Sequence, residues 1–120
     1  MGDSKFVRAT TLDRIDDLVD DTAGVRLRDL PPFTTLLVRT VNSLYRLVIT
    51  QWPEVYIQGG ALFPDPTPAY VDGASIGGSC LRLGWISVGR AMEIHSEGRH
   101  ISTSTVRTIT TEQASSLIVH

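Results

Sequence analysis

The stretch TTLLVRTVNSLYRLVITQ, residues 34–51, decides the fold. Thr, Val, Leu and Ile dominate both halves, Thr34–Thr40 and Leu44–Gln51, and Asn42-Ser43 sits between them. Branched and apolar side chains suit a pleated surface and Asn-Ser suits a reversal, so the stretch predicts a β-hairpin. Leu36, Leu37 and Val38 are consecutive apolar residues, as are Leu47, Val48 and Ile49. Neighbours on a strand point to opposite sides, so both strands carry apolar groups on both faces. A sheet with one wet side hides only one of those faces. Either an amphipathic N-terminal helix or another copy of the chain must cover the second, and we expect a homo-oligomer.

Working outward, Pro53 interrupts, Val55–Gln58 predicts a short strand, and Gly59-Gly60 ends it. Pro64, Pro66 and Pro68 predict a surface loop over Ala61–Asp72. Ser75–Gly84 and Ile86–His95 are strand candidates, broken by glycines that bend a small sheet. Glu97-Gly98 predicts a hairpin turn that sets Ser96 opposite Arg99, His95 opposite His100 and Ile94 opposite Ile101. Met92, Ile94 and Ile101 then share an inner face, and Glu93, His95 and His100 an outer one. Val106 has the wrong parity for the inner face, which a bulge over Thr103–Thr105 corrects. Thr111–Val119 reads as a short helix or an edge strand.

Upstream, Thr10 or Thr11 caps a predicted helix whose stripe is Leu12, Ile15, Leu18 and Val19. Asp13, Asp16, Asp17, Asp20 and Asp21 occupy its other side, and Gly24 ends it. The fold class is mainly β: a small antiparallel β-barrel or sandwich with an N-terminal amphipathic helix. Residues 1–24 form an acidic helical extension, 25–110 the β-barrel domain and 111–120 a C-terminal tail.

A length of 120 residues with 42% hydrophobic and 20% charged residues fits one domain and excludes disorder of the whole chain. The formal charge of −2 gives no broad basic field for nucleic acid. No apolar run approaches the roughly 20 residues of a membrane-spanning helix. The first residues, MGDSKFVRATTLD, lack the apolar core of a signal peptide, and Cys80 has no second cysteine to pair with. Both point to the cytoplasm.

Tempting chemical motifs are weak. Gly73-Ala74-Ser75-Ile76-Gly77 matches the hydrolase elbow pattern, but a proline-rich stretch precedes it and no helix follows. Cys80 sits beside Leu81 and Leu83, where a buried, inert thiol is expected. The glycines between Gly77 and Gly89 have no phosphate-loop spacing, and the five aspartates no calcium-loop spacing. No cofactor is expected. Glu93, His95 and His100 near one turn are the best candidate for a metal, although three ligands leave a fourth position open. Arg39, Arg46, Arg82, Arg90, Arg99 and Arg107 lie among Tyr45, Tyr56 and Trp85, a pattern able to hold single-stranded nucleic acid. Over residues 34–109, however, these six arginines face five acids, so binding of that kind is not the preferred reading.

The run Val38-Arg39-Thr40-Val41-Asn42-Ser43-Leu44-Tyr45-Arg46-Leu47 precedes Gly59-Gly60 and Phe63-Pro64. Gly77-Gly78-Ser79, Leu83-Gly84-Trp85-Ile86-Ser87-Val88-Gly89, Met92-Glu93-Ile94 and Thr103-Ser104-Thr105-Val106-Arg107-Thr108-Ile109 follow. Together they resemble a group of small bacterial proteins with a β-rich domain and no assigned activity, over residues 27–109. Thr105 stands where that group has proline. The resemblance implies a β-rich fold and nothing about substrate or cofactor. The sequence thus favours a non-enzymatic, self-associating binding or assembly module, with Arg39, Asn42, Tyr45, Trp85 and Arg107 as its recognition surface. A small metal-dependent enzyme built on Glu93, His95 and His100 is the alternative.

Overall fold

A computed structural model describes residues 24–77 and 80–112. The helix expected before Gly24 and the tail beyond Glu112 lie outside the described residues. Among the described residues nine strands follow one another: β1 (Val25–Arg26), β2 (Thr35–Thr40), β3 (Leu44–Gln51), β4 (Glu54–Gly59), β5 (Phe63–Ser75), β6 (Leu81–Leu83), β7 (Trp85–Ile86), β8 (Ala91–Ser96) and β9 (Arg99–Thr111). The chain is mainly β, and every ladder is antiparallel. The larger sheet runs β4-β3-β2-β9-β8-β5-β6, and β4 also pairs with β5. The ladders of β2, β3, β4, β5, β8 and β9 therefore return on themselves. The short pair β1–β7 lies apart from them and supplies Val25 and Ile86 to the core.

The predicted hairpin is β2–β3, with Leu36 opposite Leu47 and Val38 opposite Tyr45. Its turn centres on Val41 and Asn42, one residue earlier than Asn42-Ser43. Thr40 explains the shift. Its N–H donates to the Ser43 carbonyl at 2.8 Å, and its hydroxyl oxygen accepts the Ser43 N–H at 3.0 Å, which fastens Thr40 to Ser43. Leu36, Val38, Leu47 and Ile49 are buried in the core, while Leu37 and Val48 face outward and are half-buried.

The expected loop over Ala61–Asp72 is a correction, because Phe63–Ser75 is a 13-residue strand. The three prolines fall at alternate positions, so their missing N–H groups share one side of β5. Thr67 and Ala69, on either side of Pro68, pair with Ile57 and Val55 of β4. On the other side, ladder pairing to β8 begins only at Tyr70. Proline is tolerated where no ladder bond is required, and that condition holds here. The Ser96 hydroxyl donates to the Pro68 carbonyl at 2.8 Å on that same side. Ser75–Gly84 is likewise not one strand: β5 ends at Ser75 and only Leu81–Leu83 resumes.

The β8–β9 hairpin has the expected register, Ile94 to Ile101, His95 to His100 and Ser96 to Arg99. Glu97 and Gly98 take φ of 53° and 78°, the left-handed pair that matches strand twist in a tight turn. The predicted bulge is present too. Glu93 pairs with Ser102 but Ala91 with Thr105, so β9 carries one residue more than β8, and Val106 turns into the core. Thr103 fills the gap in the ladder, its buried hydroxyl oxygen accepting the Met92 N–H at 3.0 Å. Thr103→Val would leave that buried N–H unpartnered and should lower stability by about 1–3 kcal/mol in urea unfolding, whereas Thr103→Ser should keep most of it. Equal losses for the two variants would contradict this role.

Candidate functional site

The five residues expected to recognise a partner do not form one surface. Arg39, Asn42 and Arg107 are exposed around the β2–β3 turn and the adjoining part of β9. The Asn42 N–H donates to the Ser104 hydroxyl and the Val41 N–H to the Thr105 carbonyl, both at 3.0 Å, so β9 holds this turn in place. Tyr45 belongs elsewhere. It is half-buried, packs against the core, and its ring lies against Gly60. Trp85 sits on β7, where the Arg82 guanidinium carbon lies 3.5 Å from its ring centroid. That stacking gives both residues a local partner.

The hairpin set, Glu93, His95 and His100, does share the outer face, but it divides into two pairs. His95 Nδ1 lies 2.8 Å from Asp72 Oδ1, and the Tyr70 ring stacks on the imidazole with centroids 5.0 Å apart. His100 Nε2 lies 3.0 Å from Glu93 Oε1, and the Ser102 hydroxyl donates to Glu93 Oε2 at 2.8 Å. Glu93 is only 7% exposed although it faces outward. Its cross-strand partner on β5 is Gly73, which brings no side chain to stand beside it. Nucleophile activation needs a base against the hydroxyl and an acid behind the base. Here the carboxylate stands between Ser102 and His100, which is the wrong order. Among the described residues no group of three His, Cys, Asp or Glu side chains is placed to hold a metal ion.

Cys80 is a further correction: it is exposed. Leu81 and Leu83 beside it are exposed as well, because β6 pairs only with β5 and nothing among the described residues covers its far edge.

Tyr70, Asp72 and Ser102 are contacts that the sequence reading missed. Tyr70 and Asp72 both lie within Ala61–Asp72, where a loop is expected from the prolines. Ser102 was accessible, since placing the bulge after it puts it opposite Glu93.

The outer face of β2, β3 and β4 is different in kind. Thr35, Val48, Tyr56 and Pro68 stand in one cross-strand row over β2, β3, β4 and β5, with Leu37 in the next row. Tyr56 is 42% exposed, and Val48 and Leu37 are half-buried. Arg46, the cross-strand partner of Leu37, reaches across the outer side of β2 to Glu112, with Nε–Oε1 at 2.8 Å and Nη2–Oε2 at 3.3 Å. Its forked hydrogen bonds, and secondarily its charge, hold the Glu112 carboxyl below its ordinary value and raise the Arg46 guanidinium. At the far end of the hairpin the turn Pro31–Thr34 is closed by a Thr34 N–H to Pro31 carbonyl bond of 3.2 Å. Phe33 occupies its third position with φ 68° and is 74% exposed. That position favours glycine, and a bulky residue there is strained.

No family model, curated protein or solved structure matches the chain.

The Arg46–Glu112 pair makes a pH prediction. A carboxyl held low when folded contributes stability above its unfolded value and loses it as pH falls through the folded one. Glu112→Gln should therefore destabilise at pH 7, by no more than about 1 kcal/mol for so exposed a pair, and have a smaller effect near pH 3. Thermal unfolding of both proteins at the two pH values tests this, and an equal difference at both would contradict it.

Proposed function

We propose that the chain is a non-enzymatic binding or assembly module, a small β-barrel that associates with copies of itself through the outer face of β2, β3 and β4. One observation carries this reading: the apolar row of Val48, Tyr56 and Pro68, with Leu37 beside it and an exposed Phe33 in the turn before β2, is uncovered among the described residues. Apolar side chains gathered across neighbouring strands gain from removal of water, at about 25 cal/mol per Å². The Arg46–Glu112 pair borders this patch as a polar rim, the usual edge of a subunit contact. The circuit of ladders supports the barrel, since strands paired on both sides resist edge-to-edge aggregation and leave the face as the place to associate.

Phe33 adds to the argument. A side chain that costs local strain and remains in water contributes nothing to the isolated chain. Buried against a second copy, an aromatic of that size is a strong anchor. The His–carboxylate pairs support an enzyme less well, because each imidazole already faces its own carboxylate.

Sedimentation across a concentration series tests the proposal. The chain should be larger than a monomer, and Val48→Arg should return it to one copy. Phe33→Gly should weaken association at least tenfold while stability stays within about 1 kcal/mol of the parent, because lost strain offsets the added freedom of the unfolded chain. A monomer at every concentration would contradict the proposal.

A further inference from the structure

Two turns at one end of the ladders hold aliphatic side chains in water. Val41, at the centre of the β2–β3 turn, is 56% exposed, and Leu62, the last residue of the β4–β5 turn, is 48% exposed. Leu44, the first residue of β3, is exposed as well. Turn positions of this kind ordinarily hold Gly, Asn, Asp or Ser. Aliphatic groups there gain nothing for the isolated chain and keep water ordered around them.

The two turns abut. Tyr45 pairs with Gly59, which sets the start of β3 beside the end of β4. Gly59 stands so close that an added Cβ would collide with the Leu44 carbonyl, and a Cβ on Gly60 would lie 3.0 Å from the Tyr45 ring. Phe63, next after Leu62, is buried in the core and fixes the β4–β5 turn from below. The β2–β3 turn is fixed from β9 by the Val41 and Asn42 N–H bonds to Thr105 and Ser104. Both turns are therefore held with their aliphatic residues outward.

Their margin is basic. Arg39 is the cross-strand partner of Leu44. On its other side Arg39 pairs with Thr108 and Thr40 with Val106, so Arg107 is the additional residue of a second bulge in β9. Val106 and Ile109 are buried, which leaves Arg107 and Thr108 on the outer side of the strand next to Arg39. Both arginines are exposed, and the ion pairs among the described residues use other partners. No acid occurs in residues 39–44, 59–64 or 104–107, and Asp65 is the nearest to Leu62 along the chain.

We propose that this end of the molecule docks peripherally on an anionic lipid bilayer, with Val41, Leu44 and Leu62 entering the interface and Arg39 and Arg107 lying over the headgroups. A bilayer is a plane, so the arginines need only border the tips and not converge on one point. It also accepts aliphatic groups and guanidiniums at different depths. Among the described residues no helix is long and apolar enough to cross a membrane, and an interfacial contact requires none. Each arginine near the headgroups should strengthen binding about fivefold, an attraction that fades within a Debye length of about 8–10 Å. The contact is separate from self-association, since it uses the two turns and not the Val48 row.

Co-sedimentation of the full chain with vesicles tests the proposal. Phosphatidylcholine vesicles with about 30% phosphatidylserine should take up the chain at least tenfold more strongly than phosphatidylcholine alone. Val41→Ser with Leu62→Ser should weaken that uptake about tenfold, and Arg39→Gln with Arg107→Gln should lower it to the level of the neutral vesicles. Arg99→Gln and Leu83→Ser, at exposed positions away from the two turns, should change it less than about twofold. Leu62→Trp should add fluorescence that lipids brominated on their acyl chains quench, whereas the fluorescence added by Leu83→Trp should escape quenching. Equal uptake by the two kinds of vesicle, uptake indifferent to the turn variants, or control variants that act as strongly overturn the proposal. A lower sedimenting mass for Val41→Ser with Leu62→Ser in the absence of lipid also overturns it, by assigning the turns to a contact between protein chains.

Discussion

Strands β5 and β9 each change neighbours along their length, and the rest of the structure depends on how they do so. Each is 13 residues long. β5 pairs with β4 along its first half and with β8 and β6 along its second; β9 pairs with β8 first and β2 later. A strand passing between partners at different angles must bend, and an extra residue is the cheapest means. Bulges therefore fall near Asp72, near Thr103 and at Arg107. The same irregularities that let the ladders meet also decide which polar groups face outward. The bulge near Asp72 accompanies its contact with His95, the one near Thr103 turns Val106 inward, and the third sets Arg107 beside Arg39.

Packing then divides the hairpin residues sharply. Leu36, Val38, Leu47 and Ile49 join one buried core with Met92, Ile94, Val106 and Ile109. Leu37, Val48 and Tyr56 remain on the other side, where the Arg46–Glu112 pair reaches across β2. We read an apolar strip edged by an ion pair as a contact surface, since apolar side chains gathered across neighbouring strands gain from the removal of water. The paired histidines fit this picture. Asp72 and Glu93 fix the orientation of His95 and His100 and so stiffen the β5–β8–β9 surface.

Much of this was legible in the sequence wherever side-chain period and turn chemistry acted locally. Glu97-Gly98 fixed the register from Ile94 to Ile101 because two left-handed residues permit one tight turn. The parity of Val106 by itself required the bulge, since an apolar residue out of step with Ile94 and Ile101 reaches the core only through an extra one. The consecutive apolar residues at Leu36–Val38 indicated a two-sided strand. Reading failed where tertiary pairing overrode a local signal. Pro64, Pro66 and Pro68 resemble a loop until their common spacing is set against a strand with one unpaired side, and that pairing comes from β4. The exposure of Cys80, Leu81 and Leu83 follows from β6 being the sheet edge, a fact of strand order that neighbouring residues do not reveal. The separation of His95 from His100 into two pairs likewise needed Asp72, which the hairpin alone does not contain.

The central claim is that the second face of β2 and β3 meets another copy of the chain. Methyl-resolved NMR over a dilution series tests it most directly, because the two faces alternate along the same strands. The account predicts that Leu37 and Val48 signals shift with concentration while Leu36 and Ile49 stay fixed. Signals from both faces that remain constant across the series, at the mass of a single chain, would contradict it.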